Sequence, residues 1–156
     1  MKRVLLSIIC MFSLAMGRLD MNVPIPLEES LKVTAKAMNK YLPVMVDAEI
    51  RHDKVEVDGL NLILKFTLVN FTKDMMDAEQ LKDLMEYDIR RQVCGDNDSQ
   101  SMLKQGMKMV YDYVDKNHEH ITQFVYDAEV CNLFTNLEQI KQTIMNIDTN
   151  RELTRI

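Results

Sequence analysis

AEIRHDKVEV (residues 48–57), DG (58–59) and LNLILKFTLVN (60–70) form the stretch on which the fold turns. Ala48–Val57 alternates moderately between apolar and polar, and from Leu60 to Asn70 the side chains of Leu62, Leu64, Phe66 and Leu68 point to one side, the two-residue period of a half-buried strand. Asp58-Gly59 between two such runs predicts an antiparallel hairpin, because both central residues of a type I′ turn need positive φ. A second hairpin is expected downstream. Met107–Val114 carries Met107, Met109, Tyr111 and Tyr113 on one face, the polar tip Asp115–Glu119 follows, and Ile121–Val130 alternates again before delivering Cys131.

Helical periods surround these hairpins. Pro24 and Pro26 forbid helix before Leu27, after which Leu27, Leu31, Thr34, Ala35, Met38 and Leu42 recur at three- and four-residue intervals until Pro43 ends the run. Asp77, with Gln80 three residues on, reads as a capping box opening a helix with the stripe Leu81, Leu84, Met85, Ile89 and Val93, closed by Cys94-Gly95. A short helical turn over Ser99–Gln105 stops at Gly106. Thr135-Asn136-Leu137-Glu138 reads as a further capping box, opening a last helix with the stripe Leu137, Ile140, Ile144 and Ile147. The expected fold class is α+β, a four-stranded antiparallel sheet from two hairpins with helices packed on one face, in the order α-β-β-α-β-β-α.

The chain of 156 residues has room for one domain and a processing segment. Residues 1–17 have the grammar of a signal peptide: Lys2 and Arg3, the apolar stretch Val4–Leu14, then Ala15-Met16-Gly17. The apolar run is too short for a comfortable bilayer span, and the alternative to cleavage is retention as an N-terminal anchor. The expected organisation is a signal peptide at 1–17, a single exported domain at 18–148 and a frayed tail at 149–156, with the protein periplasmic or secreted and without stable membrane insertion after cleavage. Ile9 precedes Cys10, where a lipoprotein site needs a small residue. The net charge of −5 becomes −7 once Lys2 and Arg3 are removed, since residues 1–17 hold no acid. So acidic a chain argues against a nucleic-acid partner held by phosphate neutralisation.

Export leaves Cys94 and Cys131 as the only thiols, an even count in an oxidising compartment, and a disulfide is expected between them. Closing the loop from 94 to 131 removes roughly 4 kcal/mol of denatured-state entropy. The rival, a nucleophilic or metal-binding cysteine, has no CxxC to support it.

Leu42-Pro43-Val44-Met45-Val46-Asp47, Thr67-Leu68-Val69-Asn70, Val93-Cys94, Gly106 with Tyr111 and Tyr113, and the terminal Cys131 together resemble small exported bacterial proteins of unknown function with the pattern LPxxVD…TLVN…C…GxxxxYxY…C. Leu64 and Phe66 depart from it where tyrosines are expected, and the helix after Cys131 is extra. The resemblance implies export, paired cysteines and this strand order, and it implies no activity.

Catalytic motifs are missing: there is no Gly-rich phosphate loop, GxSxG elbow or HExxH. His118 and His120, joined by His52, could offer imidazoles to a metal, but the pair falls at a hairpin tip where polar residues face water anyway, so no metal and no cofactor is expected. Asp112, Asp115, Asp127 and Glu129 could supply an acid and a base across a cleft, and solvent-facing strand positions explain them equally well. Thirteen methionines are unusually many. They fill core gaps or form a plastic binding face, for which Met75, Met76, Met107 and Met109 are the candidates. The function that fits is a non-catalytic exported protein that binds another envelope protein as an accessory of an envelope or secretion system. A pilotin-like secretion accessory is one version, weakened by the missing lipidation site. The alternative is a small-ligand binder or minor hydrolase with a pocket between sheet and helices. Nothing in the sequence sets the oligomeric state.

Overall fold

A computed structural model describes residues 25–153 of the chain. The segment 1–17 and the last three residues of the expected tail lie outside the described residues. The elements run α1 (Leu27–Met38), β1 (Val44–Met45), β2 (Ile50–Asp58), β3 (Asn61–Leu68), α2 (Ala78–Gly95), α3 (Asn97–Lys104), β4 (Lys108–Val114), β5 (His120–Tyr126) and α4 (Ala128–Leu153).

The β2–β3 hairpin forms in antiparallel register from Ile50 opposite Leu68 to Asp58 opposite Asn61. Its two central residues are Gly59 and Leu60, and of these only Gly59 has positive φ, at 58°. The turn is thus the variant with glycine first, rather than a type I′ turn built on Asp58-Gly59. A bulge at Asp53 lets His52 and Val55 both reach the buried face. Beyond the two-residue strand β1, the side chain of Asn39 serves the outer edge of β2: its Nδ2 donates to the Val55 carbonyl at 2.7 Å and its Oδ1 accepts from the Val55 N–H at 2.8 Å.

The expected four-stranded antiparallel sheet is not what forms. The sheet has five strands in the order β1-β2-β3-β4-β5, and β3 and β4 are parallel, with Leu62 opposite Met109, Leu64 opposite Tyr111 and Phe66 opposite Tyr113. The cause is the connection. Two helices, α2 and α3, carry the chain from the far end of β3 back to its beginning, so β4 must start where β3 starts; helical crossovers join parallel strands. The Lys108 N–H donates to the Leu60 carbonyl at 3.0 Å at that common start. Between β4 and β5 the pairing is antiparallel, with a register shift at Tyr113/Val114.

The second correction concerns Cys131. The last strand ends at Tyr126, and Asp127 caps α4 by accepting from the Val130 N–H at 3.0 Å. Thr135, expected as a cap, lies inside the helix with its hydroxyl donating to the Cys131 carbonyl at 2.9 Å. The disulfide Cys94–Cys131 therefore joins the last turn of α2 to the first turn of α4, with Cα atoms 5.0 Å apart, rather than clamping a helix to a strand end. Asp77 and Gln80 form the reciprocal capping box of α2.

Alternation along β3, β4 and β5 builds the core. Phe66 stacks on His52 at 4.5 Å, Tyr113 at 5.0 Å and Tyr111 at 5.8 Å between ring centroids. Phe124 and Tyr126 meet Tyr113 and Tyr111 edge-on. Leu31, Ala35 and Met38 of α1, Leu81, Ile89 and Val93 of α2, and Leu103 of α3 close over this layer.

Candidate functional site

The sheet face opposite the core is a lattice of paired charges. Lys65 lies 2.9 Å from Asp112 and 3.5 Å from Glu56, Lys54 also holds Glu56, and His120 Nε2 lies 3.2 Å from Asp112 Oδ1. Arg51 pairs with Asp53, which also accepts from the Thr67 hydroxyl at 2.6 Å. The Asp112 carboxylate raises the pKa of Lys65, and Lys54 lowers that of Glu56. Each of these groups already has an opposite charge.

The histidines are not brought together. His118 sits in the β4–β5 turn at φ 65°, His120 opens β5 on the charged face, and His52 is buried on the core face against Phe66. Among the described residues there is no group of three or more His, Cys, Asp or Glu side chains placed to hold a metal ion.

The candidate carboxylates have structural partners. Asp115 is fully buried and accepts from the backbone N–H groups of Lys73 (3.0 Å), Asn117 (2.7 Å) and Glu119 (2.9 Å). Burial opposes its charge, but these donors hold its carboxyl below the ordinary range. Asp127 caps α4, and Glu129 lies in that helix's first turn. Of the four methionines, Met109 of β4 and Met107 just before that strand are buried in the core and offer a partner no surface. Met76 packs partly against the core and Met75 is exposed.

Between sheet and helices, Leu62, Phe66, Met109 and Phe124 are all buried among the described residues. Clefts lie outside. One, of about 460 Å³, runs between α1 and β2, lined by Lys32, Lys36, Lys40, Ala35, Asn39 and Val57. Another, of about 170 Å³, lies between Lys82 and Glu86 of α2 and the stretch Thr122–Tyr126 of β5.

That second cleft follows the outer side of β5. Among the described residues β5 pairs only with β4, so it is an edge strand of seven residues. Edges are ordinarily blunted by charge, proline or shortness. Edge β1 is blunted by having two residues, whereas Ile121–Tyr126 contains neither a charge nor a proline. Gln123 is exposed and Val125 is 40% exposed. A bare strand beside a cleft can take up an extended peptide through main-chain hydrogen bonds, with side chains read by the flanking wall. Sequence reading marked this run as a strand, but only the topology makes it an edge.

An apolar surface lies on the helices as well. Leu84 and Tyr87 of α2 and Leu133, Leu137, Ile140 and Ile144 of α4 are each more than half exposed, although Leu84, Leu137, Ile140 and Ile144 carry the period expected of core stripes. Tyr87 meets Phe134 edge-on at 5.9 Å, and the Lys141 ammonium stands 6.0 Å from its ring centre.

Fold and surface together define a small disulfide-linked α+β domain with an open strand edge. The chain belongs to the family described as "putative quorum-sensing-regulated virulence factor", whose model matches residues 22–132. No curated protein matches in sequence. Three solved structures are similar. A "putative secreted protein" from Pseudomonas aeruginosa is 20% identical, with a TM-score of 0.58 over 67% of this chain and 92% of that one. EpsS, a pilotin of the Vibrio vulnificus type 2 secretion system, is 14% identical, with a TM-score of 0.55 over 67% and 91%. AspS, a type II secretion system pilotin of Vibrio cholerae, is 16% identical, with a TM-score of 0.50 over 67% and 92%. These likenesses establish a shared fold. No helix among the described residues is long and apolar enough to cross a membrane.

Proposed function

We propose that the chain is an exported, non-catalytic accessory protein of a bacterial envelope secretion system, and that it acts by holding an extended segment of another envelope protein along the free edge of β5. The observation that carries this reading is the edge strand β5, whose run Ile121–Tyr126 holds neither a charged residue nor a proline, beside its cleft. Membership of a family described as a virulence factor and the fold shared with two secretion pilotins support the setting. The paired charges of the opposite face support a binding role over a catalytic one, since each acid or base there is already satisfied.

Val125→Lys tests it. The side chain points away from the core, so the fold should survive, while a charge on the edge disfavours strand addition. Affinity capture from a periplasmic extract is expected to enrich a specific protein with the wild-type chain and to lose it with the variant. Equal recovery by both, recovery of nothing above background, or absence of the chain from the periplasmic fraction would sink the proposal.

A further inference from the structure

We propose that the exposed apolar row on α4 is a homodimer interface, covered by the same row of a second copy of this chain. Helix α4 is 26 residues long, about 39 Å at 1.5 Å per residue, and every residue from Gln139 to Asn146 is exposed, so the rest of the described domain leaves that stretch largely uncovered. Most of the stability of a helix in a protein comes from covering its apolar face rather than from propensity. Leu133, Leu137, Ile140 and Ile144 are spaced four, three and four residues apart, the seam of a helix that packs lengthwise on another helix. This exposed stretch lies beyond residue 132, where the family match ends.

Three observations favour a second copy as the occupant. The row is self-complementary: an antiparallel two-fold pairing about the midpoint between Leu137 and Ile140 sets Leu133 against Ile144 of the second copy, and Leu137 against its Ile140. The patch is also nearly neutral in a chain of net charge −5, since Glu138 and Lys141 pair at 2.9 Å on the same helix. Two acidic molecules can therefore meet there without like charges opposed. The area fits as well. The row, together with Leu84 and Tyr87 beside it, offers on the order of 600 Å² of apolar surface per protomer at roughly 100 Å² per side chain. That approaches the roughly 800 Å² per partner of a standard interface once the flanking polar residues are added.

Sedimentation velocity on the full disulfide-bonded chain is the test. The wild type is expected to sediment as a concentration-dependent dimer. Ile140→Asp and Leu137→Asp should each weaken association by about tenfold or more, with far-UV circular dichroism reporting that the domain remains folded. Both positions are exposed, so two independent variants guard against an accident of folding. Val125→Lys, on the β5 edge, is expected to leave the dimer intact. A wild type that stays monomeric at its highest soluble concentration overturns the proposal. So does a dimer that survives both aspartates, or one lost in Val125→Lys.

Discussion

His52 is expected to weaken the fold in mild acid, before most of the carboxylates protonate. The side chain is 2% exposed and stacked on Phe66, and its Nε2 has no hydrogen-bond partner. Burial brings its pKa down to about 4, against the opposing pull of Asp53 and of a backbone hydrogen bond involving Lys54. In the unfolded chain the same imidazole titrates near 6.5. Between those values the unfolded state binds a proton that the native state refuses, so stability is full above pH 6.5, falls on acidification, and levels off below about 4. At about 1.4 kcal/mol per pH unit, the fall is about 3 kcal/mol, a large part of the roughly 5–15 kcal/mol that holds a domain together. Urea unfolding at a series of pH values between 7.5 and 3.5 measures it. His52→Phe keeps a ring against Phe66 and removes the titration, so its stability should change little between pH 6.5 and 4. Parallel wild-type and variant curves across that window would show the reasoning to be mistaken.

Reducing Cys94–Cys131, or replacing both cysteines by serine, frees a loop spanning 37 positions and is expected to cost about 4 kcal/mol on the chain-entropy model; denaturant midpoints with and without reductant read this out. Asp115→Asn removes the charge that receives three backbone N–H groups. It should lower the melting temperature by several degrees above pH 5, and the gap from wild type should narrow as acid protonates the native carboxylate, since a depressed carboxyl pKa stabilises only while the group is ionised; thermal melts across pH 2–7 follow it.

Local chemistry was legible in the sequence, and long-range pairing was not. The Asp77–Gln80 capping box and the hairpin at Gly59 follow from residues within a few positions of one another. The parallel pairing of β3 with β4 depends on where two intervening helices deliver the chain, and no period in Asn61–Leu68 or Lys108–Val114 encodes it. Ala128 and Val130 prolong the apolar alternation of β5, which hid the real helix start at Asp127 behind a plausible box at Thr135. Strand β1, with two residues, has no period to read. For the candidate site, the strand Ile121–Tyr126 was visible, while its bareness is a property of sheet order. The row on α4 has the spacing of a core stripe, and spacing alone cannot distinguish a face covered by its own domain from one left open.

The parallel pair β3–β4 is latched at both ends. At its start Lys108 donates to the Leu60 carbonyl; at its finish the Asp115 carboxylate grips Lys73, and the Lys116 N–H reaches the Phe71 carbonyl at 3.0 Å. Sliding the pair by one residue would break both latches and turn Tyr111 and Tyr113 to the wrong side. Trading the segment between two molecules would first have to undo the same two latches before re-forming them with a neighbour.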